Sequence, residues 1–305
     1  MSEKNIIHLA IGSDQKYFNF VIITLYSILY YYKKGNLVIH LFHPDLTEDY
    51  FQRLEQLKKI AYFDIHPIKI DQQKFKEVFG ENNPNIWRLA LPALLPDIDK
   101  LLYCDCDLVF CDNIINLWDI DLGNKMIGAV RDRVGFKVQT KIPINPINYC
   151  NSGVMLWNLR KMREQNVART WPMEYRKYKE KLTFPDQDFL NILYKEDILI
   201  LHQKWNIINS VYRNPPIPDM YSAEEITEAI RHPGIVHFTG HHKPWLFFKN
   251  THHVYARCFW FFALKSPIPF GFKTKMFIKK MFFGRYHDSK VARPWSYSDI
   301  NHQWD

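Results

Sequence analysis

The chain is predicted to adopt an α/β fold in which a mostly parallel sheet is flanked by helices. Three observations predict it. Short apolar runs of strand length alternate with amphipathic stretches of helix length as far as Asn124. The connections between them are short, as in sheets built from parallel crossovers. The apolar runs also end in turn or polar residues, as strands do when they open into a ligand crevice at their carboxyl ends.

The elements follow in order. "NIIHLAIGS" is a short buried strand ending in Gly-Ser, and an apolar helix follows from about Phe18 to Tyr32. "NLVIHLFH" is a second strand and "TEDYFQRLEQLKKI" a charged amphipathic helix. "YFDIHPIKI" is a short strand, another helix lies near Arg88, and "KLLYCDCDLVF" is a further strand. Beyond Asn124 the pattern is less regular. "MIGAVRD" has strand character, and "KVQTKIPINPINYC" is a loop with two prolines. "NSGVMLWNLRKMRE" starts at a polar turn and runs into a strand or helix. "FPDQDFLNILYK" is a helix opened by Pro and Asp, and "GIVHFTGHHKPW" is a strand entering a glycine-containing loop. No internal repeat is visible.

Composition bounds the class. Of 305 residues, 47% are apolar and 24% charged, which favours a globular chain over a disordered one. Five cysteines are few and odd in number, so a reducing compartment fits better than a disulfide framework. The start, "MSEKNIIHLAIGSD", lacks the apolar core of a signal peptide, and "FVIITLYSILYYY" is too short to span a bilayer. The net charge of +8 is unevenly placed. From Leu246 to Asp305 there are ten Lys and Arg against three Asp, together with sixteen aromatic residues. A boundary is therefore expected at Trp245, with residues 1–245 as the main domain and 246–305 as a basic aromatic extension. Such composition suits an anionic membrane surface. A helix packed on the domain is the plainer reading of the same stretch. No nucleic-acid partner is expected, and oligomeric state is left open.

"LLYCDCDLVFCD" places two carboxylates, Asp105 and Asp107, one residue apart at the end of an apolar strand. In an extended segment both point to the same side. They would repel and lose hydration unless a divalent cation such as Mg²⁺ or Mn²⁺ lay between them, or unless both simply capped the strand in a solvated loop. Thiolate zinc is the competing metal. Against it, Cys104 and Cys106 share the opposite face of the strand and no Cys-x-x-Cys pair exists.

With these residues in hand, a resemblance emerges. "RLALPALLPDIDKLLYCDCDLVF" resembles the central block of glycosyltransferase family 8, which includes bacterial lipopolysaccharide galactosyl- and glucosyltransferases and glycogenin. "NSGVMLWNL", "PDQDFLN" and "HFTGHHKPW" resemble three further family segments in the family's order, from about Ile6 to Trp245. The resemblance implies the GT-A (Rossmann-like) fold, a UDP-sugar donor (UDP-galactose or UDP-glucose), Mn²⁺ with Mg²⁺ as an alternative, and retention of anomeric configuration. It implies that Asp105, Asp107 and His237 hold the metal, that Gly240 lets the backbone approach the diphosphate, and that Lys243 charges it. Asp14 and Tyr17 would bind the uracil, with Gly12 and Cys106 beside the nucleotide. Gln15 and Lys16 depart from the family's usual acidic residue and asparagine. Arg88, Asp132, Asn151, Asp186 and Gln187 would surround the transferred sugar.

Each of these has a plainer reading when taken alone. His237 would be a core histidine, while Lys243, Arg88 and Asp132 would be surface charges. Asp14 and Asp186 would be helix caps and Asn151 a turn residue. The resemblance also implies a glycan or lipid-linked oligosaccharide acceptor and a cytoplasmic enzyme peripheral to the membrane. Rival readings are a non-catalytic carbohydrate- or nucleotide-binding module on the same fold, or a metal-dependent phosphohydrolase, which needs more ligands around two ions.

Overall fold

The computed structural model describes residues 6–213, 217, 219–240, 243–246 and 253–275. The basic aromatic stretch 276–305, to which much of the membrane expectation attaches, lies outside them.

Seven strands form the main sheet: β1 (Ile7–Gly12), β2 (Leu37–His43), β3 (Asp64–Lys69), β4 (Lys100–Cys104), β6 (Ile127–Arg131), β7 (Cys150–Asn158) and β8 (Ile198–Ile200). Their order is β3-β2-β1-β4-β7-β6-β8. The pairs β2–β3, β1–β2, β1–β4 and β6–β8 are parallel, whereas β7 runs antiparallel to both β4 and β6. The sheet is thus mostly parallel, as the alternating pattern predicts. Helices cover both faces, so the central strands are mostly apolar, interrupted by His8 in β1 and by His40 and His43 in β2. The period of two then sorts their side chains. Ile7, Leu9, Ile11, Leu37, Ile39, Leu41 and Leu102 enter one core, while Ala10, Phe42, Leu101 and Tyr103 enter the other. β3 closes one edge, where Pro67 removes an amide donor at little cost.

Two expected elements differ. "KLLYCDCDLVF" is not one strand. β4 stops at Cys104, and β5 (Leu108–Phe110) belongs to a second, two-stranded sheet with β9 (Ile235–His237). The break is held by polar contacts. The Asp105 N–H donates to the Gly153 carbonyl at 2.8 Å, and the Thr24 hydroxyl contacts the carbonyls of Cys106 and Leu108 at 3.0 and 2.7 Å. The helix expected near Arg88 is a 3₁₀ stretch, Pro84–Ala90, followed by the short helix Leu91–Leu94. Pro84 suits its first turn, and the Asn83 side chain accepts from the Asn85 N–H.

"NSGVMLWN" resolves as strand, because β7 is buried along nearly its whole length between two neighbours. Past Trp245, the helix Ala256–Lys265 packs on the helix Phe18–Tyr31. Phe20 stacks on Trp245 at 4.2 Å, Trp245 meets Phe259 at 4.7 Å, and Tyr30 meets Phe261 at 5.6 Å. Val254, Tyr255, Phe259, Phe262 and Ile268 lie in the same core as β1 and β2. Among the described residues, no helix is long and apolar enough to cross a membrane.

Candidate active site

The break between β4 and β5 lies beyond the carboxyl ends of the central strands, where an open α/β sheet builds its crevice. Pairing of β5 with β9 sets Leu108 opposite His237, which brings an imidazole beside Asp107 from 130 residues away. His237 Nε2 is 3.1 Å from Asp107 Oδ1 and 3.6 Å from Asp105 Oδ2. Ligand atoms of Asp105, Asp107 and His237 all lie within 4.8 Å of one another, the one such group of three among the described residues.

Two carboxylates and an imidazole suit Mn²⁺, whose site accepts oxygen and nitrogen together. The donor set fits a divalent cation for a second reason. The oxygens that Arg88 and Lys243 leave open, Asp105 Oδ2 and Asp107 Oδ1, both turn toward His237 Nε2, so two oxygens and a nitrogen converge. No cysteine joins this group. Cys104 is buried, and Cys111 lies with its sulfur 3.4 Å from that of Cys258. Burial pushes the Cys104 and Cys106 thiols well above their usual range, which disfavours thiolate zinc.

Two cations flank the carboxylates. Lys243 Nζ bonds Asp107 Oδ2. Burial alone would raise the Asp107 carboxyl, but the Lys243 ammonium outweighs it, with His237 adding to this while its ring is protonated, and the group is held well below the usual carboxylate range. Burial likewise works against the Lys243 ammonium, and Asp107 more than offsets it. Arg88 is only 6% exposed. Its Nη2 is 2.8 Å from Asp105 Oδ1 and its Nη1 3.1 Å from Asp186 Oδ2. Its guanidinium lies 4.3 Å from the Tyr103 ring. Burial raises the Asp186 carboxyl, while Arg88 and the Ser152 hydroxyl at 2.6 Å partly counter this.

A network of amides adjoins the metal group. Asn151 Nδ2 donates to Asp132 Oδ2 and to Gln187 Oε1, both at 3.0 Å. Gln187 Oε1 also accepts from the Ser152 N–H at 3.1 Å, and Gln187 Nε2 donates to Asp132 Oδ2 at 3.3 Å. The helix Pro185–Tyr194 presents Asp186 and Gln187 from its first turn, with Asp188 accepting from the N–H groups of Thr183 and Phe184.

Two cavities meet here. One, of about 440 Å³, is lined by Gly12, Asp14, Tyr17, Cys106 and Lys243. The other, of about 530 Å³, is lined by Asp132, Asn151, Asp186, Gln187, His237 and Gly240. Asn85, Arg88, Asp105 and Asp107 line both. Every residue singled out from the sequence therefore borders one of the two cavities. Asp14 also accepts from the Tyr17 N–H at 3.0 Å, and Tyr17 is 43% exposed. Gly12 has a packing reason, because a Cβ there would lie 2.0 Å from the Phe42 ring. Gly240 takes a φ of 64°, a left-handed conformation that glycine adopts without cost.

Sequence reasoning missed Tyr103, Ser152, Gly153 and Asn206. The Tyr103 hydroxyl donates to Asp105 Oδ1 at 2.6 Å. A Cβ on Gly153 would lie 2.2 Å from His237 Cε1 and 2.8 Å from Asp105 Oδ2, so only glycine leaves room for both ligands. The signal for Gly153 was present in "NSGV", a glycine two residues after the candidate site residue Asn151.

Comparison with known proteins gives the family and the fold. The family model "Glycosyl transferase family 8" matches residues 8–248. General stress protein A of Bacillus subtilis is 24% identical, over 84% of this chain and 92% of its own length. A lipopolysaccharide 1,2-glucosyltransferase of Escherichia coli is 26% identical, over 80% of this chain and 75% of its own. GlyA of Streptococcus pneumoniae is 26% identical over 80% of this chain, which spans about a third of GlyA. A solved structure of the galactosyltransferase LgtC with donor and acceptor sugar analogues superposes with a TM-score of 0.74 at 22% identity. The match covers 88% of this chain and all of that one. That likeness gives the fold as GT-A.

Proposed function

The chain belongs to glycosyl transferase family 8, and from that premise we propose that it moves galactose or glucose from a UDP-sugar to a lipopolysaccharide or other cell-surface glycan, with retention and with Mn²⁺. The observation that carries the reading is the convergence of Asp105, Asp107 and His237 where two cavities meet. The E. coli relative named for lipopolysaccharide supports the acceptor class.

In this reading the first cavity takes the nucleotide. Asp14 and Tyr17 meet the uracil, and the backbone at Gly12, Cys106 and Gly240 approaches the ribose and diphosphate. Asp105, Asp107 and His237 hold Mn²⁺, or Mg²⁺ in its place. When bound, the metal supplies Lewis-acid stabilisation of the charge on departing UDP. Lys243 places a further positive charge on the diphosphate, preorganised because it is buried and paired before substrate arrives. The second cavity takes the sugar, whose hydroxyls meet Arg88, Asp132, Asn151, Asp186 and Gln187.

Retention needs attack from the face that the leaving group vacates, or a covalent intermediate. Gln187 is the family's residue nearest the opposite face. Its amide oxygen is already engaged by Asn151 and Ser152, and an amide is a weak nucleophile. Front-face attack follows, with a leaving phosphate oxygen taking the acceptor hydroxyl proton. The cationic, aromatic tail would hold the enzyme at the inner face of the cytoplasmic membrane, close to a lipid-linked acceptor.

The test is turnover of UDP-galactose against UDP-glucose, with Mn²⁺ supplied or chelated. Wild type should release UDP only with metal, and Asp105→Ala, Asp107→Ala and His237→Ala should nearly abolish release. Full activity in chelator, or in any of the three variants, sinks the assignment. Tight UDP-sugar binding without turnover on any acceptor would favour the alternative, a non-catalytic nucleotide-sugar or carbohydrate-binding protein.

A further inference from the structure

We infer that Asn206 is a positioning residue whose amide fixes which ring nitrogen of His237 faces Asp105 and Asp107. Asn206 is 1% exposed and ends the 3₁₀ turn Gln203–Asn206. Its Nδ2 is 2.8 Å from Asn151 Oδ1, and its Oδ1 is 3.0 Å from His237 Nδ1.

The polarity of this chain of contacts is forced from its far end. The Gly153 N–H is a backbone donor and can only donate, and it does so to Asn151 Oδ1 at 2.9 Å. The other end of the Asn151 amide faces the Asp132 carboxylate and the Gln187 oxygen, both acceptors, so Asn151 cannot be turned over. Asn151 thus offers an oxygen to Asn206, and Asn206 must answer with its NH₂. Its own oxygen is left for His237, so Nδ1 of His237 must carry a proton. With Nδ1 protonated, Nε2 is the nitrogen that faces the two aspartates, donating to Asp107 while it holds a proton and offering its lone pair once that proton is lost. The neutral Nδ1–H form is the tautomer which ligates a cation, and an orienting partner on the second nitrogen is how proteins select it. The same Asn151 holds Asp132 and Gln187. One buried amide pair therefore links the orientation of the metal-facing imidazole to that of the sugar-facing groups.

The metal half of this inference rests on the proposed cation site, while the tautomer half does not. The experiment separates them. In ¹⁵N-histidine-labelled, metal-free protein kept above the range in which imidazole titrates, long-range ¹H–¹⁵N correlation reports the tautomer of His237. The signal is assigned by its loss in His237→Gln. Wild type should show the Nδ1–H form. Asn206→Leu removes the acceptor and should move the population to Nε2–H, now donating to Asp107. Mn²⁺ titration without donor, read by the loss of free-ion paramagnetic resonance, should then weaken about 10–100-fold in that variant. Asn206→Asp keeps an acceptor for His237 and should retain the Nδ1–H form.

If the leucine variant is folded, keeps Nδ1–H and binds Mn²⁺ like wild type, the inference is overturned. If it does not fold, the aspartate variant decides, and an Nε2–H form there overturns it. A wild type that shows Nδ1–H yet binds no Mn²⁺ overturns the metal reading and leaves the positioning role standing.

Discussion

Replacing Arg88 with Met should destabilise the fold far more than loss of a surface arginine. The guanidinium is 2.8 Å from Asp105 and 3.1 Å from Asp186, and it also donates to the Ser152 carbonyl at 2.8 Å and the Asn85 carbonyl at 3.1 Å. At an effective dielectric near 20, opposite charges about 4 Å apart attract by ~4 kcal/mol. Two such attractions are largely offset by stripping water from a buried guanidinium. Methionine removes both attractions and leaves two carboxylates close together, one of them on the buried Asp186. Breaking a buried pair in this way costs about 3–5 kcal/mol.

The assay is urea unfolding followed by circular dichroism, at neutral pH and then at falling pH. The sign of the pH effect is fixed. Burial already raises the Asp186 carboxyl, and without Arg88 its folded-state pKa rises further above the unfolded value. The penalty is therefore present above the folded pKa and is relieved as pH falls through it. Arg88→Met with Asp186→Asn should recover about half the loss, since one stranded charge is gone. A single variant within about 1 kcal/mol of wild type at neutral pH would refute the reasoning, because that is the range of exposed ion pairs. A deficit that grows on acidification would refute it as well.

Three further outcomes are expected. Gly153→Ala should lower transfer by about 100-fold or more while the protein still melts cooperatively, because the added methyl displaces His237 and Asp105 rather than core residues; near-normal turnover would show that the ligands can shift at little cost. His40 is 2% exposed, and burial, with His8 and His66 nearby, lowers its pKa to about 4. A histidine depressed in this way contributes stability above its unfolded pKa of about 6.5, and that contribution is lost as pH falls toward 4. Relative to His40→Leu, wild type should therefore lose up to about 3 kcal/mol across that window, and parallel pH–stability curves for the two would contradict this. Truncation after Lys275 removes Lys279, Lys280, Arg285, Lys290 and Arg293 while keeping the helix Ala256–Lys265 in the core, so the protein should stay folded yet lose affinity for anionic vesicles, each basic residue near the surface contributing about 1 kcal/mol; undiminished vesicle binding would remove the tail's proposed role.

The fold was legible where periodicity and burial coincide. Strands β1 and β2 are apolar apart from His8, His40 and His43 because helices cover both of their faces, and the helix Phe18–Tyr31 is long enough to read from its apolar content. The division of "KLLYCDCDLVF" between two sheets was not legible. Leu101–Cys104 and Leu108–Phe110 are equally buried and equally strand-forming, so nothing local marks the change of partner. That change depends on β9, which lies more than a hundred residues further along. What the residues after Trp245 pack against was not legible for a related reason. After Trp245 the composition turns basic and aromatic, yet Tyr255, Phe259 and Phe262 use their rings to seal the helix Phe18–Tyr31. Composition registers the aromatic rings without saying which surface they meet.

The site was legible in the same unequal way, and the inequality has a physical cause. Asp105, Asp107, His237 and Lys243 are residue types whose charge or lone pairs do chemistry, so their pattern announces a role before any contact is known. Tyr103, Gly153 and Asn206 bear on the site by touching or making room for those residues. Their value lies in geometry: a hydroxyl 2.6 Å from Asp105, a missing Cβ beside His237, an amide turned one way and not the other. A tyrosine, a glycine and an asparagine are ordinary in a core or a turn, so only coordinates distinguish these three from their many equivalents. Asn206 is the extreme case, because even its position leaves the direction of its amide undecided. That direction is settled two hydrogen bonds away, by the Gly153 backbone N–H, which can only donate.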